Sequence, residues 1–237
     1  MADCKSCCEP LVLHYSHGCE KAYRILITCR ILGIKLVEKV ICPGEKFSRK
    51  GASSPYIEFP CGTPHFQNNA ILRTLARLKT ESTTKLYGKT PTDATLVDQH
   101  LEFLRSEVEQ HSNNVIYGIL GHFPYDKKTF STSANALFTR LKVIDANLAK
   151  KTFLVGDSIT IADIALVGTC LNLFRFHLHQ GKRKQLPNLT AFMEARLAEK
   201  HFADVIGKVW FCNKELKPVE TERPKKKQKK QKPKKEK

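Results

Sequence analysis

One cysteine occupies a position where its thiol could become a nucleophile. Cys19 directly precedes Glu20–Leu32, a segment whose apolar residues recur at helical spacing. The positive end of a helix dipole favours the thiolate, which is the nucleophilic form of cysteine. The alternative is that Cys19 is a partly buried small apolar residue, because reactivity also requires electropositive surroundings.

The other cysteines give little support to a metal site or a disulfide framework. Cys4-x-x-Cys7-Cys8 has the spacing of half a zinc site, but no second Cys or His pair follows at ligand spacing. Without a secretory signal, an odd number of scattered cysteines is typical of reduced thiols. The sequence therefore predicts no metal site. The nine cysteines are at positions 4, 7, 8, 19, 29, 42, 61, 170 and 212.

Positive charge is concentrated at the C-terminal end. The formal net charge is +17, of which Arg223–Lys237 carries +9 and the preceding residues +8. A basic segment on a basic body indicates a polyanionic partner such as tRNA, because neutralised phosphates release counterions. A solvated Lys-rich linker is the alternative. The candidate nucleic-acid-binding residues are Arg223, Lys225, Lys226, Lys227, Lys229, Lys230, Lys232, Lys234, Lys235 and Lys237.

Composition is that of a globular protein without a membrane segment. Of the 237 residues 41% are hydrophobic and 27% charged, and no run of eighteen apolar residues occurs. The first residues are not followed by the apolar core of a signal peptide. We therefore expect a cytoplasmic protein that does not span a membrane.

The first third of the chain alternates strand and helix patterns. A short apolar run, a helix that stops at Gly33 and a second strand make a βαβ start. A Pro-led strand, a hairpin and a helix that Asn68 or Asn69 could cap follow. The predicted elements are strands at 11–15, 34–41, 54–59 and 65–66, and helices at 20–32 and 70–78.

The remainder is predicted to be all-helical. Helical patterns cover 91–112, 130–150, 160–176, 189–200 and 202–206, joined by polar segments. Thr160 and Asp163 have the spacing of a capping box, and the helix that they open is apolar nearly all round. Such a helix belongs in the middle of a domain.

These patterns divide the chain into five parts. They are a disordered N-terminus at 1–10, an α/β domain at 11–79, a linker at 80–90, an all-α domain at 91–214 and a Lys-rich, disordered tail at 215–237.

Several motifs resemble those of glutathione-transferase-like proteins. Residues 154–164, L-V-G-D-S-I-T-I-A-D-I, are similar to the folding signature of that family's helical domain. Phe66–Leu72 resembles the family's F-E-S-x-A-I-L, Val97–Leu104 its V-D-Q-W-L-E-F segment, and Ser54-Pro55 its cis-proline dipeptide. Residues 202–212 resemble one branch in particular, the gamma subunits of the eukaryotic elongation factor 1 complex.

The resemblance implies a thioredoxin-like N-terminal domain and an all-α C-terminal domain. It also implies a glutathione site, with Tyr15, Ser16 or Cys19 as the sulfur-activating residue and Ser54, Pro55, Gln67 and Asn68 around it. Gln67-Asn68 replaces the family's Glu-Ser, so the carboxylate that would pair with the substrate ammonium is missing. We therefore expect glutathione, the one cofactor implied, to be bound weakly and its chemistry to be weak or lost.

The function implied is a scaffold of the translation machinery. Its partners would be elongation factor 1 subunits or aminoacyl-tRNA synthetases, with tRNA contacted by the basic tail and a homodimer as one assembly. Two alternatives stay open. One is a transferase-like appendage of an aminoacyl-tRNA synthetase or an auxiliary protein of a synthetase complex, and the other is an active transferase for glutathione or a related thiol.

Overall fold

The computed structural model describes residues 10–42, 54–60, 62–78, 85–122 and 124–219. Residues 1–9 of the predicted N-terminal segment, 80–84 of the predicted linker and 220–237 of the predicted tail lie outside the described residues. The first part of the chain is an α/β unit. Its elements are β1 (Leu11–Ser16), α1 (Glu20–Leu32), β2 (Leu36–Ile41), β3 (Tyr56–Glu58), β4 (Pro64–His65) and α2 (Asn68–Leu78).

The four described strands form one mixed sheet in the order β2-β1-β3-β4. β1 pairs parallel with β2, Leu11 opposite Leu36, and antiparallel with β3, Leu13 opposite Ile57. The parallel pair needs a crossover, which α1 supplies, so the βαβ prediction from the sequence is confirmed. Gly33 ends α1 in the left-handed conformation (φ 62°), where glycine has no steric cost.

The start of α2 differs from the expectation that Asn68 or Asn69 caps it. Both asparagines lie inside the helix, and Gln67 precedes it with a left-handed φ of 68°. The Asn68 amide instead donates to the Lys21 carbonyl at 2.7 Å, and the Asn69 amide to the Leu101 carbonyl at 3.2 Å. Both side chains therefore bond to neighbouring elements rather than to their own helix end.

The second part of the described chain is helical. A π-helical segment, Leu104–Glu109, interrupts what the sequence predicted as one long helix, and the last helices begin about two residues earlier than expected. The elements are α3 (Pro91–Phe103), the π-helical segment, α4 (Gln110–Leu120), α5 (Lys127–Asn147), α6 (Ile161–Phe176), α7 (Gln180–Arg183), α8 (Pro187–Ala198) and α9 (Lys200–Ile206).

Helix α6 forms the centre of the helical unit. Thirteen of its sixteen residues are buried, as its nearly uncharged sequence predicts. The predicted capping box is present, and the Asp163 carboxylate accepts bonds from the Thr160 N–H, the Thr160 hydroxyl and the Leu154 N–H, all at 2.8 Å. Burial raises the pKa of Asp163, although these three bonds oppose the shift.

The two units share one continuous apolar core. α1 packs on α6, α2 and α9, so the crossover helix of the sheet is also the main contact with the helical unit. The sequence-predicted combination of a thioredoxin-like α/β domain with an all-α domain is confirmed. This arrangement places the start of α1 at the junction of the two domains.

Candidate functional site

The first turn of α1 gathers most of the predicted site residues. The Ser16 N–H donates to the Ser54 hydroxyl at 3.0 Å, and the Ser54–Pro55 peptide is cis. Cys19 is the N-cap residue of α1 in an extended conformation, and its side chain is partly exposed. Asn68 joins this region through its bond to Lys21, in the first turn of the same helix.

Tyr15 is placed elsewhere. Successive residues of a strand point to opposite faces, so Tyr15 and Ser16 cannot face the same site. The Tyr15 hydroxyl donates to the Glu38 carboxylate at 2.6 Å, in an open cavity of about 560 Å³ between α1, β2 and α9. Burial, and then the bond to Glu38, raises the pKa of Tyr15 well above its usual range. Because the single hydroxyl proton of Tyr15 is donated to Glu38, it is not available to a substrate thiolate.

The residues at the start of α2 border a small polar cavity. It has a volume of about 190 Å³ and lies between α1, α2 and the π-helical segment. The two carboxylates on it are already in ion pairs, Glu102 with Arg73 at 2.8 Å and Glu109 with Arg24 at 2.7 Å. None of its described carboxylates is therefore free to hold the ammonium of a γ-glutamyl group.

A buried ion pair joins the two domains beside this cavity. Arg24 of α1 is 2% exposed, and its guanidinium donates to Glu109 at 2.7 Å and to the Thr169 hydroxyl at 3.2 Å. Burial acts to raise the pKa of Glu109, but the charges of Arg24 and Lys21 outweigh it and hold the pKa below its usual value. The Arg24 side chain lies directly on the backbone of Gly168 in α6.

The segment after α9 crosses the helical domain as an ordered strap, which we define as residues 208–219. The Cys212 N–H donates to the Phe174 carbonyl at 2.9 Å, and Glu215 accepts from Lys182 at 2.7 Å. Buried His177 lies 3.3 Å from Glu215 through its Nδ1. The strap covers this residue, which is 2% exposed.

Two further observations limit the chemistry of the described residues. They contain no group of three or more His, Cys, Asp or Glu side chains that could hold a metal ion. None of their helices is both long and apolar enough to cross a membrane. The Cys4, Cys7 and Cys8 cluster and the ten candidate nucleic-acid-binding residues of the tail lie outside them.

Comparison with known proteins confirms the resemblance found in the sequence. Residues 108–200 match the model for the glutathione S-transferase C-terminal domain. A crystal structure of the GST-like domain of elongation factor 1-gamma from Saccharomyces cerevisiae superposes with a TM-score of 0.77, at 20% identity, over 89% of this chain and 99% of that one. The fold is that of a glutathione transferase. Glutathione S-transferase III in its apo form shares it, with a TM-score of 0.72 over 85% of this chain and 97% of that one, at 19% identity.

Sequence relatives of this transferase-fold chain include elongation factor 1-gamma proteins. One from Sus scrofa is 27% identical over 199 residues, which is 82% of this chain and 46% of the relative. Elongation factor 1-gamma 3 of Oryza sativa is 29% identical over 206 residues, 83% of this chain and 49% of the relative. The chain thus spans about half the length of the curated relatives that it matches.

Sequence reasoning missed the domain junction. Arg24 interrupts an otherwise apolar face of α1 between Ala22 and Ile25, and an arginine in such a position is the signal that could have indicated a buried ion pair. Its partner Glu109 is 85 residues away in the chain, and nothing local in the sequence identifies it.

Proposed function

We propose that this chain is a scaffold of the translation machinery that uses a transferase fold to bind partner proteins and carries weak or no glutathione chemistry. Its similarity to elongation factor 1-gamma proteins over more than four-fifths of its length supports the role in translation. The proposed partners are subunits of the elongation factor 1 complex in the cytoplasm.

One observation carries the non-catalytic part of the proposal. Of the three sulfur-activating candidates, Tyr15 is bound to Glu38 with a raised pKa, and Ser16 contributes a backbone bond to Ser54. Asn68 occupies the position of the family's gripping serine, and its amide is committed to the Lys21 carbonyl. The Tyr15 hydroxyl and the Asn68 amide are thus engaged in the fold and the gripping carboxylate is replaced, which leaves the Ser16 hydroxyl and the Cys19 thiol as the remaining candidates at the sulfur.

The basic tail and self-association belong to the same proposal. Arg223–Lys237 contacts tRNA phosphates, and two copies of the folded body can associate as a homodimer while partners bind. The tail contributes +9 of the +17 net charge in fifteen residues, so its attraction to a polyanion is strongly dependent on salt.

Reconstitution with purified elongation factor 1 subunits tests this proposal. We expect the full chain to form a complex of fixed stoichiometry with at least one nucleotide-exchange subunit in size-exclusion chromatography with light scattering. A panel of aminoacyl-tRNA synthetases is the control. Binding to a synthetase and to none of the exchange subunits would favour the synthetase-appendage alternative and overturn the proposal.

A thiol transferase is the second candidate, and Cys19 favours it. This residue is the N-cap of a thirteen-residue helix, and its side chain is partly exposed. A mixed disulfide or conjugation reaction at Cys19 would require no hydroxyl from Tyr15 or Ser16.

A further inference from the structure

An exposed tryptophan stands at the edge of an open apolar groove. Trp210 is the single tryptophan of the chain and is 72% exposed, more than any other large hydrophobic residue described. The groove has a volume of about 590 Å³ and lies between α8, α9 and residues 207–211. Large exposed aromatic side chains beside apolar grooves are typical of protein-binding surfaces.

The floor of the groove is small and apolar. Leu197 and Ala198 of α8 and Ala203 of α9 line it, and the alanines are exposed. Gly207 ends α9 with a left-handed φ of 74°, and nothing lies within 4 Å of where its Cβ would be. A surface of small side chains beside one large ring lets the backbone of a second helix approach closely.

The strap fixes the position of the tryptophan. Next to it, Phe211 is turned inward and packs on Phe174 with ring centroids 4.8 Å apart. The Arg183 guanidinium donates to the Cys212 carbonyl at 2.6 Å, and the ammonium of Lys208 lies 4.3 Å from the Trp210 ring centroid. The contacts of Phe211 and Cys212 fix the backbone beside Trp210, so a partner that binds the ring orders its side chain but not the strap.

The charges at this groove favour an acidic partner. The Lys208 ammonium lies against the Trp210 ring. Lys200 is outside the groove lining, but it precedes Ala203 by three residues, which places it on the same face of α9 as Ala203 and Asp204. The Asp204 carboxylate is paired with Arg30 at 3.7 Å. Glu194 is the one acidic residue among those that line the groove. The body of the chain up to residue 222 is also positive, at +8, so acidic proteins are attracted to it at long range.

We propose that this groove binds an amphipathic helix of a partner protein, which places a large apolar side chain against Trp210 and carboxylates near Lys208 and Lys200. The inference rests on the proposed function for the identity of that partner, an elongation factor 1 subunit. It goes beyond the proposed function because it assigns the contact to one face of the helical domain and gives the chemistry of the bound segment.

The test uses the full chain and the exchange subunit that binds it in reconstitution. Because the chain has one tryptophan, its fluorescence reports this groove alone, provided that the subunit contains none or has its own replaced by phenylalanine. We expect a blue shift on binding and a ten- to hundredfold loss of affinity in Trp210→Ala. Leu78→Ala, which removes a 52% exposed leucine on α2, is the matched control and should bind as the unchanged chain does.

Charge reversal tests the acidic character of the partner. Lys208→Glu should weaken binding at least fivefold, and tighter binding would overturn the assignment of an acidic helix. If the unchanged chain binds no elongation factor 1 subunit, the proposed function itself fails. If the unchanged chain binds without a shift of its Trp210 fluorescence, and Trp210→Ala binds equally well, the function survives and this groove is not the contact.

Two other occupants would also overturn the proposal. A blue shift that depends on the concentration of the chain alone, with a dimer in sedimentation equilibrium, would assign the groove to a second copy. A red shift on deletion of residues 223–237 without any partner would assign it to the chain's own tail. We expect neither change.

Discussion

At the scale of single residues, the carboxylate of Asp163 has a structural role. It accepts three hydrogen bonds, which join the loop at Leu154 to the first turn of α6. We expect Asp163→Ala to lower the free energy of unfolding by about 1–3 kcal/mol, because the cap and a buried loop contact are lost together. The measurement is the denaturant midpoint.

The chain contains a matched control for this substitution. Asp93 makes the same capping box with Thr90 at the start of α3, but on the surface. Water can replace its bonds, so Asp93→Ala should have a clearly smaller effect. Equal losses for the two variants would show that burial of Asp163 adds nothing to its cap.

The chemistry of Cys19 gives the second prediction. With the Tyr15 hydroxyl bonded to Glu38 and the gripping carboxylate replaced by Gln67, we expect conjugation of a standard electrophile by glutathione near the uncatalysed rate. Cys19→Ser should change this rate little, as measured against an active transferase assayed in parallel. Robust turnover that Cys19→Ser abolishes would instead establish the thiol transferase.

Sequence reasoning succeeded for residues whose roles are local. The Thr160–Asp163 box and the glycine that ends α1 are each set by spacing within a few residues, and both are present. The cis peptide at Ser54–Pro55, which the family resemblance implied, is present as well. The orientation of Tyr15 was not evident, because it depends on which face of β1 the neighbouring strand and helix cover. The cap expected of Asn68 failed because a bond to α1 replaced it.

At the scale of elements, the contact of α1 with α6 depends on a glycine. A Cβ at Gly168 would lie 2.5 Å from Nε of buried Arg24, whose side chain has little room to move. Gly168→Ala should therefore cost about 1–3 kcal/mol of stability through overpacking, despite the better helix propensity of alanine. The measurement is again the free energy of unfolding.

Gly118 of α4 is the control for this effect. It is also a helical glycine, but its nearest neighbour, a ring carbon of Phe130, would be 3.4 Å from an added Cβ. Gly118→Ala should be neutral or stabilising by up to about 1 kcal/mol. A loss at Gly118 as large as that at Gly168 would contradict the role given to Arg24.

The free energy of unfolding should depend on pH through His177, which lies beneath the strap. Burial, and then the nearby charge of Lys182, lowers the pKa of His177 from 6.5 to about 4. His179 also lowers this pKa, and Glu215 raises it but does not outweigh the other causes. Below pH 6.5 His177 becomes protonated in the unfolded chain, whereas in the native chain it stays neutral until about pH 4. Stability should therefore fall by about 3 kcal/mol as the pH is lowered across this window.

A variant without an ionisable side chain at position 177 isolates the effect of this histidine. His177→Gln should flatten the stability profile between pH 6.5 and 4, while His201→Gln, on the exposed face of α9, should leave its slope unchanged. The same slope in both variants would mean that other groups cause the acid sensitivity.

At the scale of the whole molecule, the fold could be predicted largely from periodicity and motifs, but the surfaces that meet partners could not. The apolar spacing of α6 and the βαβ start determine which domains form. The exposure of Trp210 depends on the strap turning Phe211 inward onto Phe174, a contact between residues 37 positions apart. Long-range contacts of this kind leave no local pattern.

The basic tail gives the last prediction. Ten basic side chains at 223–237 set the upper limit on phosphate contacts, and if about half engage at once, log K for tRNA falls with log salt with a slope of about −3 to −5. Deleting 223–237 should remove most tRNA affinity and leave subunit binding unchanged. A tail of the same length with its basic residues replaced by glutamine should behave like the deletion, because charge rather than length provides the attraction. Titration of labelled tRNA at two salt concentrations measures the slope, and equal affinity of all three chains would leave the tail only a linker.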